Sequence, residues 1–400
     1  MRKAVSLRRL CLVVVLSLCC VSAFAGELTI VHINVGQGAS TLILGPADQS
    51  GKRVSVLVDA GELPGRHNSP DGGWVVARAL KRYGVTALDY FVATHYDSDH
   101  IGGVLSGGGL GDCFMFGPDG VPGTLADDDG DGNVNWEKEG SKTYPDLDEF
   151  GEGAQCDDIS VAEVIYIGSD GVKPDDRTNR NSQYSRYAAV VGKAEKHLVV
   201  STGADLSKAD ITLGGTGDQK AEMICLAADG YVRGQASRVK PKESDNDRSF
   251  CFLVRYGGFD YLIGGDIGWG GQYAPVEQAV AKLIMPTEGQ RKWEVDVLNV
   301  NHHGSGYSSH DDYLEAACPE VAVISAGSGN GHGHPSLGAL QRLKDNGVSH
   351  IYLTEKGETT GQVPEDVAAL CTIAWGDVVV TTDGAHYHVT PGDLELPVDE

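Results

Sequence analysis

The run Thr94-His95-Tyr96-Asp97-Ser98-Asp99-His100 constrains this chain more than any other stretch. Two carboxylates and two imidazoles crowd into six consecutive residues, His95 to His100. Holding nothing, they would repel one another or require solvent. The preceding Leu88 to Thr94 is short and largely apolar, and reads as a buried strand that delivers His95 at its C-terminal end. Ligand sites gather at strand ends in α/β folds, because a rigid sheet holds the loops there. Imidazole and carboxylate together suit divalent transition metals. Gly102 and Gly103 follow and permit a second backbone to come close. The first expectation is therefore a metal site.

Other metal-capable side chains also fall at predicted strand ends. Val54 to Val58 is β-branched and runs into Asp59-Ala60-Gly61. Ser249 to Tyr256 and Phe259 to Ile263 read as a hairpin turning at Gly257-Gly258, followed by Gly264-Gly265-Asp266. Val295 to Val300 reads as a strand ending in Asn301-His302-His303-Gly304. Alone, Asp266 would read as a turn residue and His302 as a core histidine. In this order they read as ligands, with the loop aiming two groups at one ion and two at a neighbour, and an Asp from another strand shared. Predicted helices at Gly73 to Tyr83 and Gln183 to Lys196 separate strands near Leu28 to Leu44, His197 to Ser201 and Ala221 to Ala227. The alternation continues through Tyr313 to Ala317, Val321 to Ser325, Leu337 to Asn346 and His350 to Thr354, which is the α/β pattern. Residues 104–160 break it, being rich in Gly, Asp and Glu, and read as an acidic surface insertion. Gly36-Gln37-Gly38 is a tight turn and not a dinucleotide fingerprint, since Thr41 stands where a third Gly belongs.

Six stretches in combination resemble the metallo-β-lactamase superfamily, and within it the soluble hydrolase domain of ComEC-like competence proteins. They are Val35-Gly36-Gln37-Gly38, Val58-Asp59-Ala60-Gly61, Thr94 through Gly103, Gly264-Gly265-Asp266, His302-His303-Gly304-Ser305 and Gly333-His334-Pro335. The resemblance implies an αββα four-layer sandwich over residues 26–400 and a hydrolase with a binuclear, metal-activated hydroxide. It implies that His95, Asp97 and Asp266 hold one ion. Asp99, His100, Asp266 and one of His302 or His303 would hold the other. Asp59 would support the ligand loop, and Asp99 and His334 are the catalytic candidates, His334 by touching substrate or protonating a leaving group. Two departures stand out. Asp97 occupies a position that is usually His, and the usual third-motif His is absent; Ser244 through Ser249 lies near that place and offers Asn246 and Asp247. The membrane channel of the competence proteins has no counterpart here, so the expectation is hydrolysis without transport.

Arg2, Lys3, Arg8 and Arg9, then apolar Leu10 to Val21, then Ala23-Phe24-Ala25, fit a cleaved signal peptide over residues 1–25. The expectation is a secreted or periplasmic product with no membrane span after cleavage. Losing four basic residues moves the formal charge from −24 to −28. Such a surface repels polyanions, which excludes a broad duplex nucleic-acid face. Any phosphate must then be gripped locally by two divalent ions, zinc foremost and manganese compatible. The expected substrate is a phosphodiester, with a lactone or β-lactam, or a non-catalytic metal-binding role, as alternatives. Export and an even cysteine number suggest Cys113–Cys156, Cys225–Cys251 and Cys318–Cys371 disulfides. Within the insertion, Asp127, Asp129, Asp131 and Asn133 space like calcium ligands, with Gly132 at the turn, although Lys138 replaces the final acid.

Overall fold

The computed structural model describes residues 26–105, 138–139, 142–143, 160–167, 182–191, 196–200, 205–285 and 295–398, apart from 64, 65, 68, 71, 243 and 393. The proposed signal peptide, Cys113, Cys156 and the calcium-loop residues Asp127, Asp129, Asp131 and Asn133 lie outside them.

Two large sheets form. The first runs in spatial order Leu394–Pro397, His386–Thr390, Val378–Thr382, Leu28–His32, Thr41–Leu44, Ser55–Val58, Ala87–Val92, Ser160–Ile167 and His197–Val200. Its last four strands are parallel, as chain excursions between them require. The second runs Tyr231–Val232, Ala221–Ala228, Cys251–Tyr256, Phe259–Gly264, Val297–Asn299, Val321–Ile324, His350–Leu353 and Cys371–Ile373, with Ile211–Gly214 also pairing onto Ala221–Ala228. The hairpin turns at Gly257-Gly258 as expected, with Tyr256 opposite Phe259.

Side-chain alternation along Cys251–Tyr256 sorts the interior into two cores. Phe252 and Val254 join Ile30, Ile43 and Val56 between the sheets. Cys251 and Leu253 point to the other face, toward Val280, Leu314 and Leu340 on the helices Val276–Ile284, Asp311–Ala317 and Leu337–Asp345. On the other face of the first sheet, Leu57 and Phe91 share a core with Val76 and Leu80 of the helix Gly72–Arg82. Helix, sheet, sheet and helix stack in four layers. The strands of each sheet that carry the candidate ligands end at one common edge.

The disulfide expectation is corrected here for the four cysteines that are described. Cys225, Cys251, Cys318 and Cys371 are free thiols. In the antiparallel register Cys225 lies opposite Phe252, and Cys251 opposite Ala227. The two thiols therefore emerge on opposite faces of the sheet, one in each core. Burial pushes the Cys251 thiol up to about 12 and holds Cys225 well above its ordinary value, so both are inert. Iodoacetamide should spare Cys225 and Cys251 in the native protein and modify both after unfolding without reductant. A Cys225–Cys251 cross-linked peptide in non-reducing mass spectrometry would contradict this. Among the described residues no helix is long and apolar enough to cross a membrane.

Candidate metal centre

The first half of the centre grows from the strand Ala87–Val92. The chain passes Thr94 and His95 and enters the helix Ser98–Leu105, whose first turn holds Asp99 and His100. A carboxylate is favoured there by the helix dipole. Asp59 anchors this corner from the neighbouring strand end, in a left-handed conformation (φ 60°). Its carboxylate accepts from Thr94 N at 2.8 Å and Thr94 Oγ1 at 2.7 Å, and stands 2.7 Å from His100 Nδ1. A carboxylate there takes the Nδ1 proton, so His100 turns Nε2 to the cavity.

The second half comes from the other sheet. Asp266 follows the strand Phe259–Gly264, and its N–H donates to Ser249 Oγ at 3.0 Å. After Val297–Asn299, His302 (φ 53°), His303 (φ 52°) and Gly304 (φ 77°) form three consecutive left-handed residues. Such a turn is costly for residues other than glycine, at about 1–2 kcal/mol each. It brings two adjacent imidazoles to one cavity. Glu277 holds the turn, accepting from Asn301 Nδ2 at 2.7 Å and Ser309 N at 2.6 Å. Burial pushes the Glu277 carboxyl up to about 7. His303 Nδ1 stands 2.8 Å from Ser325 O. A carbonyl only accepts, so His303 also turns Nε2 to the cavity.

These groups converge on Asp266. Its Oδ1 lies 3.2 Å from His100 Nε2 and 3.7 Å from His303 Nε2. Asp99 Oδ2 completes that set at 3.3 Å from His303 Nε2. Asp266 Oδ2 faces the other way, 4.0 Å from His95 Nε2 and 3.5 Å from His302 Nε2. Asp97 joins His95 at 3.6 Å and is the most exposed of the acids. Burial would raise the Asp266 carboxyl, but His302, His100 and His303 outweigh it and hold it well below the usual range.

Two observations show that this donor set fits metal ions. His100 Nε2 and His303 Nε2 face each other at 3.2 Å, and each ring already commits its Nδ1 proton elsewhere. Two neutral lone pairs at that distance repel unless a proton or a metal ion lies between them. His95 Nε2 is also buried with no hydrogen-bond partner, which is costly for a polar atom without a ligand. His95, His100 and Asp266 form one compact ligand group, and Asp99, His100 and His303 another.

All seven sequence-derived metal candidates, His95, Asp97, Asp99, His100, Asp266, His302 and His303, meet here. The structure separates the adjacent pair: His303 joins Asp99 and His100, whereas His302 joins the His95 side. Asn246, from the stretch Ser244 through Ser249, enters the site, with its amide 3.1 Å from Asp266 Oδ2 and 3.5 Å from His302 Nε2. Asp247 is architectural instead, accepting from Lys242 N and Ala274 N. His334 sits with its ring 5.5 Å from that of His302. Burial, then His303 and His302, push its pKa down to about 3. The cavity above these residues has a volume of about 410 Å³. Gln37, Arg66, His67, Tyr273 and His332 also line it, and sequence reading missed them as site residues. Gln37 alone left a signal, in the Gly36-Gln37-Gly38 turn.

No family model matches the chain. It is 29% identical over 114 residues to ComE operon protein 3 of Bacillus subtilis, covering 28% of this chain and 13% of that protein. It is 32% identical over 114 residues to competence protein ComA of Neisseria gonorrhoeae, covering 28% of this chain and 15% of that protein. The match thus spans a small part of either relative's length. A crystal structure of a diphosphatase from the PhnP family covers 93% of this chain and 100% of its own, at 12% identity and a TM-score of 0.35. Over the 114 matched residues the chain is similar in sequence to the ComE and ComA competence proteins.

Proposed function

We propose that this chain is an exported, metal-dependent phosphodiesterase acting on small or single-stranded substrates. The observation that carries the reading is Asp266, whose two oxygens face two separate ligand groups. His95, Asp97, Asp266 and His302 would hold one divalent ion. Asp99, His100, His303 and Asp266 would hold the second, with Asp59 and the Ser325 carbonyl fixing the two imidazoles. Two such ions would supply Lewis acidity at a phosphoryl group and its attacking and leaving oxygens. His334, kept neutral by burial, offers a hydrogen bond to a non-bridging or leaving oxygen. Asp97 in place of an imidazole makes the set oxygen-rich, which suits hard phosphoryl oxygens and leaves manganese open beside zinc. The relatives' printed names concern competence. The acidic surface, −24 over the whole chain, argues against long duplexes.

The test compares metal-loaded wild type with His100→Ala on a bis-aryl phosphate, single-stranded DNA, a phosphocholine ester and a lactone. The phosphodiesters should be cut, and the variant should lose at least about a hundredfold in kcat/KM. Turnover of the lactone alone, dependent on His100, would replace the phosphodiesterase reading with a lactonase one.

A further inference from the structure

One wall of the cavity carries donors that this hydrolytic reading leaves unused. Arg66, His67 and His332 line it beside the metal-facing residues. Arg66 Nη1 donates to Ser98 Oγ at 2.6 Å, which holds the guanidinium against the loop between Asp97 and Asp99. His67 and His332 approach Nε2 to Nε2 at 3.1 Å, although 265 residues separate them. Behind them, His67 Nδ1 stands 2.9 Å from Glu62 Oε2, and the Glu62 side chain is fully buried. Glu62 Oε1 accepts from Leu63 N at 2.8 Å. His332 stacks on His334 with ring centroids 5.6 Å apart, and His334 stacks on His303 at 6.4 Å. A line of imidazoles thus runs from the metal centre to the rim.

Two ligand types could use such a wall. A cation could sit between His67 and His332, but among the described residues no third His, Cys, Asp or Glu atom completes a ligand set around that pair. Arg66, next to His67 in the chain, would repel a cation. An anion engages all three. Glu62 behind His67 fixes that ring, because a buried carboxylate needs a hydrogen-bonded partner and the His67 Nδ1 side stands 2.9 Å from it. Arginine is suited to phosphate through its planar fork of donors. These donors gather on one wall of a chain whose formal charge is −24.

We propose that Arg66, His67 and His332 form a second anion subsite, which grips a non-scissile phosphate one linkage away from the phosphodiester at the metal centre. The proposal rests on the phosphodiesterase reading and narrows it. The substrate carries two neighbouring phosphates, supplied either by a diphosphate linkage or by the adjoining nucleotide of a single strand.

The experiment uses metal-loaded protein, wild type against Arg66→Ala and His332→Ala, both at exposed positions. The substrates are a bis-aryl phosphate, a diaryl diphosphate and an aryl-esterified dinucleotide. Wild type should prefer one two-phosphate substrate over the bis-aryl phosphate, and which one identifies the source of the second phosphate. Each variant should reduce that preference about tenfold or more, mainly through KM. Calorimetry with methylenediphosphonate and methylphosphonate gives a readout independent of turnover, and the Arg66→Ala/His332→Ala double variant should lose the preference for the diphosphonate. An unchanged preference in both assays would overturn the subsite. So would three bound ions in wild type falling to two in His332→Ala, which would make this a third metal site. No turnover of any phosphodiester, with an Arg66-dependent preference for the diphosphonate, would overturn the hydrolytic reading and keep the anion subsite.

Discussion

Asp266→Ala should strip most of both ions and abolish hydrolysis, the largest effect expected of any single substitution in this chain. Each Asp266 oxygen faces a different set of imidazoles, so removing the carboxylate touches both sides of the centre. Removing the carboxylate leaves His100, His303, His95 and His302 without the negative charge they share. Metal content should fall from about two ions per chain to well under one, since even supporting residues alter affinity about 10- to 100-fold. Loss of Lewis acidity worth about 4 kcal/mol lowers kcat/KM by about a thousandfold. Elemental analysis after gel filtration, alongside kinetics on a bis-aryl phosphate, checks both. Full occupancy with unchanged kinetics in Asp266→Ala would sink the shared-ligand arrangement.

Gly103→Ala should be the most damaging substitution that leaves every candidate ligand in place. A Cβ at Gly103 would lie 2.1 Å from Ala60 O and 2.7 Å from Gly73 N, and one at Gly102 would lie 2.2 Å from Leu63 N. The obstacles are backbone atoms, which cannot rotate aside. The helix Ser98–Leu105 is seated on this segment by Ala60 N donating to His100 O at 2.7 Å and Gly103 N donating to Gly61 O at 3.1 Å. To reach ordinary contact distance the helix must back away by about 1 Å, carrying Asp99 and His100 with it. Overpacking of this kind costs about 3 kcal/mol. A displacement of that size at reacting groups can cost about a hundredfold in rate. Chemical denaturation and kinetics should show both losses together. Gly84→Ala is the control: it meets nothing within 4 Å and pays only for its left-handed φ of 71°. Equal losses in the two variants would show that close packing is not what Gly103 provides.

Legibility followed sequence distance. The His95 to His100 loop was readable because its ligands are neighbours and a strand pattern precedes them. Asp266 and His302-His303 were readable because each ends an apolar run. The choice within the histidine pair was not, since it depends on a left-handed turn and on the Ser325 carbonyl, 22 residues from His303. The Cys225–Cys251 pairing failed on register: both residues fall on predicted strands, but a shift of one residue reverses the face a side chain takes. That register also carries a bulge between Cys225 and Ala227, for which composition gives no warning. Arg66, His67 and His332 carry no periodicity and come together only when the two sheets stack.

His100 and His303 meet across 203 residues of chain. A chain with only local structure would offer an ion the loop around His95 and little else. The two apolar cores, and not the ion, must hold those distant segments together. Small zinc domains, by contrast, depend on metal to fold at all. Metal loading is then a late event on a finished scaffold. In a compartment short of metal, this protein would persist folded and inactive, and its activity would track ion supply instead of its own abundance.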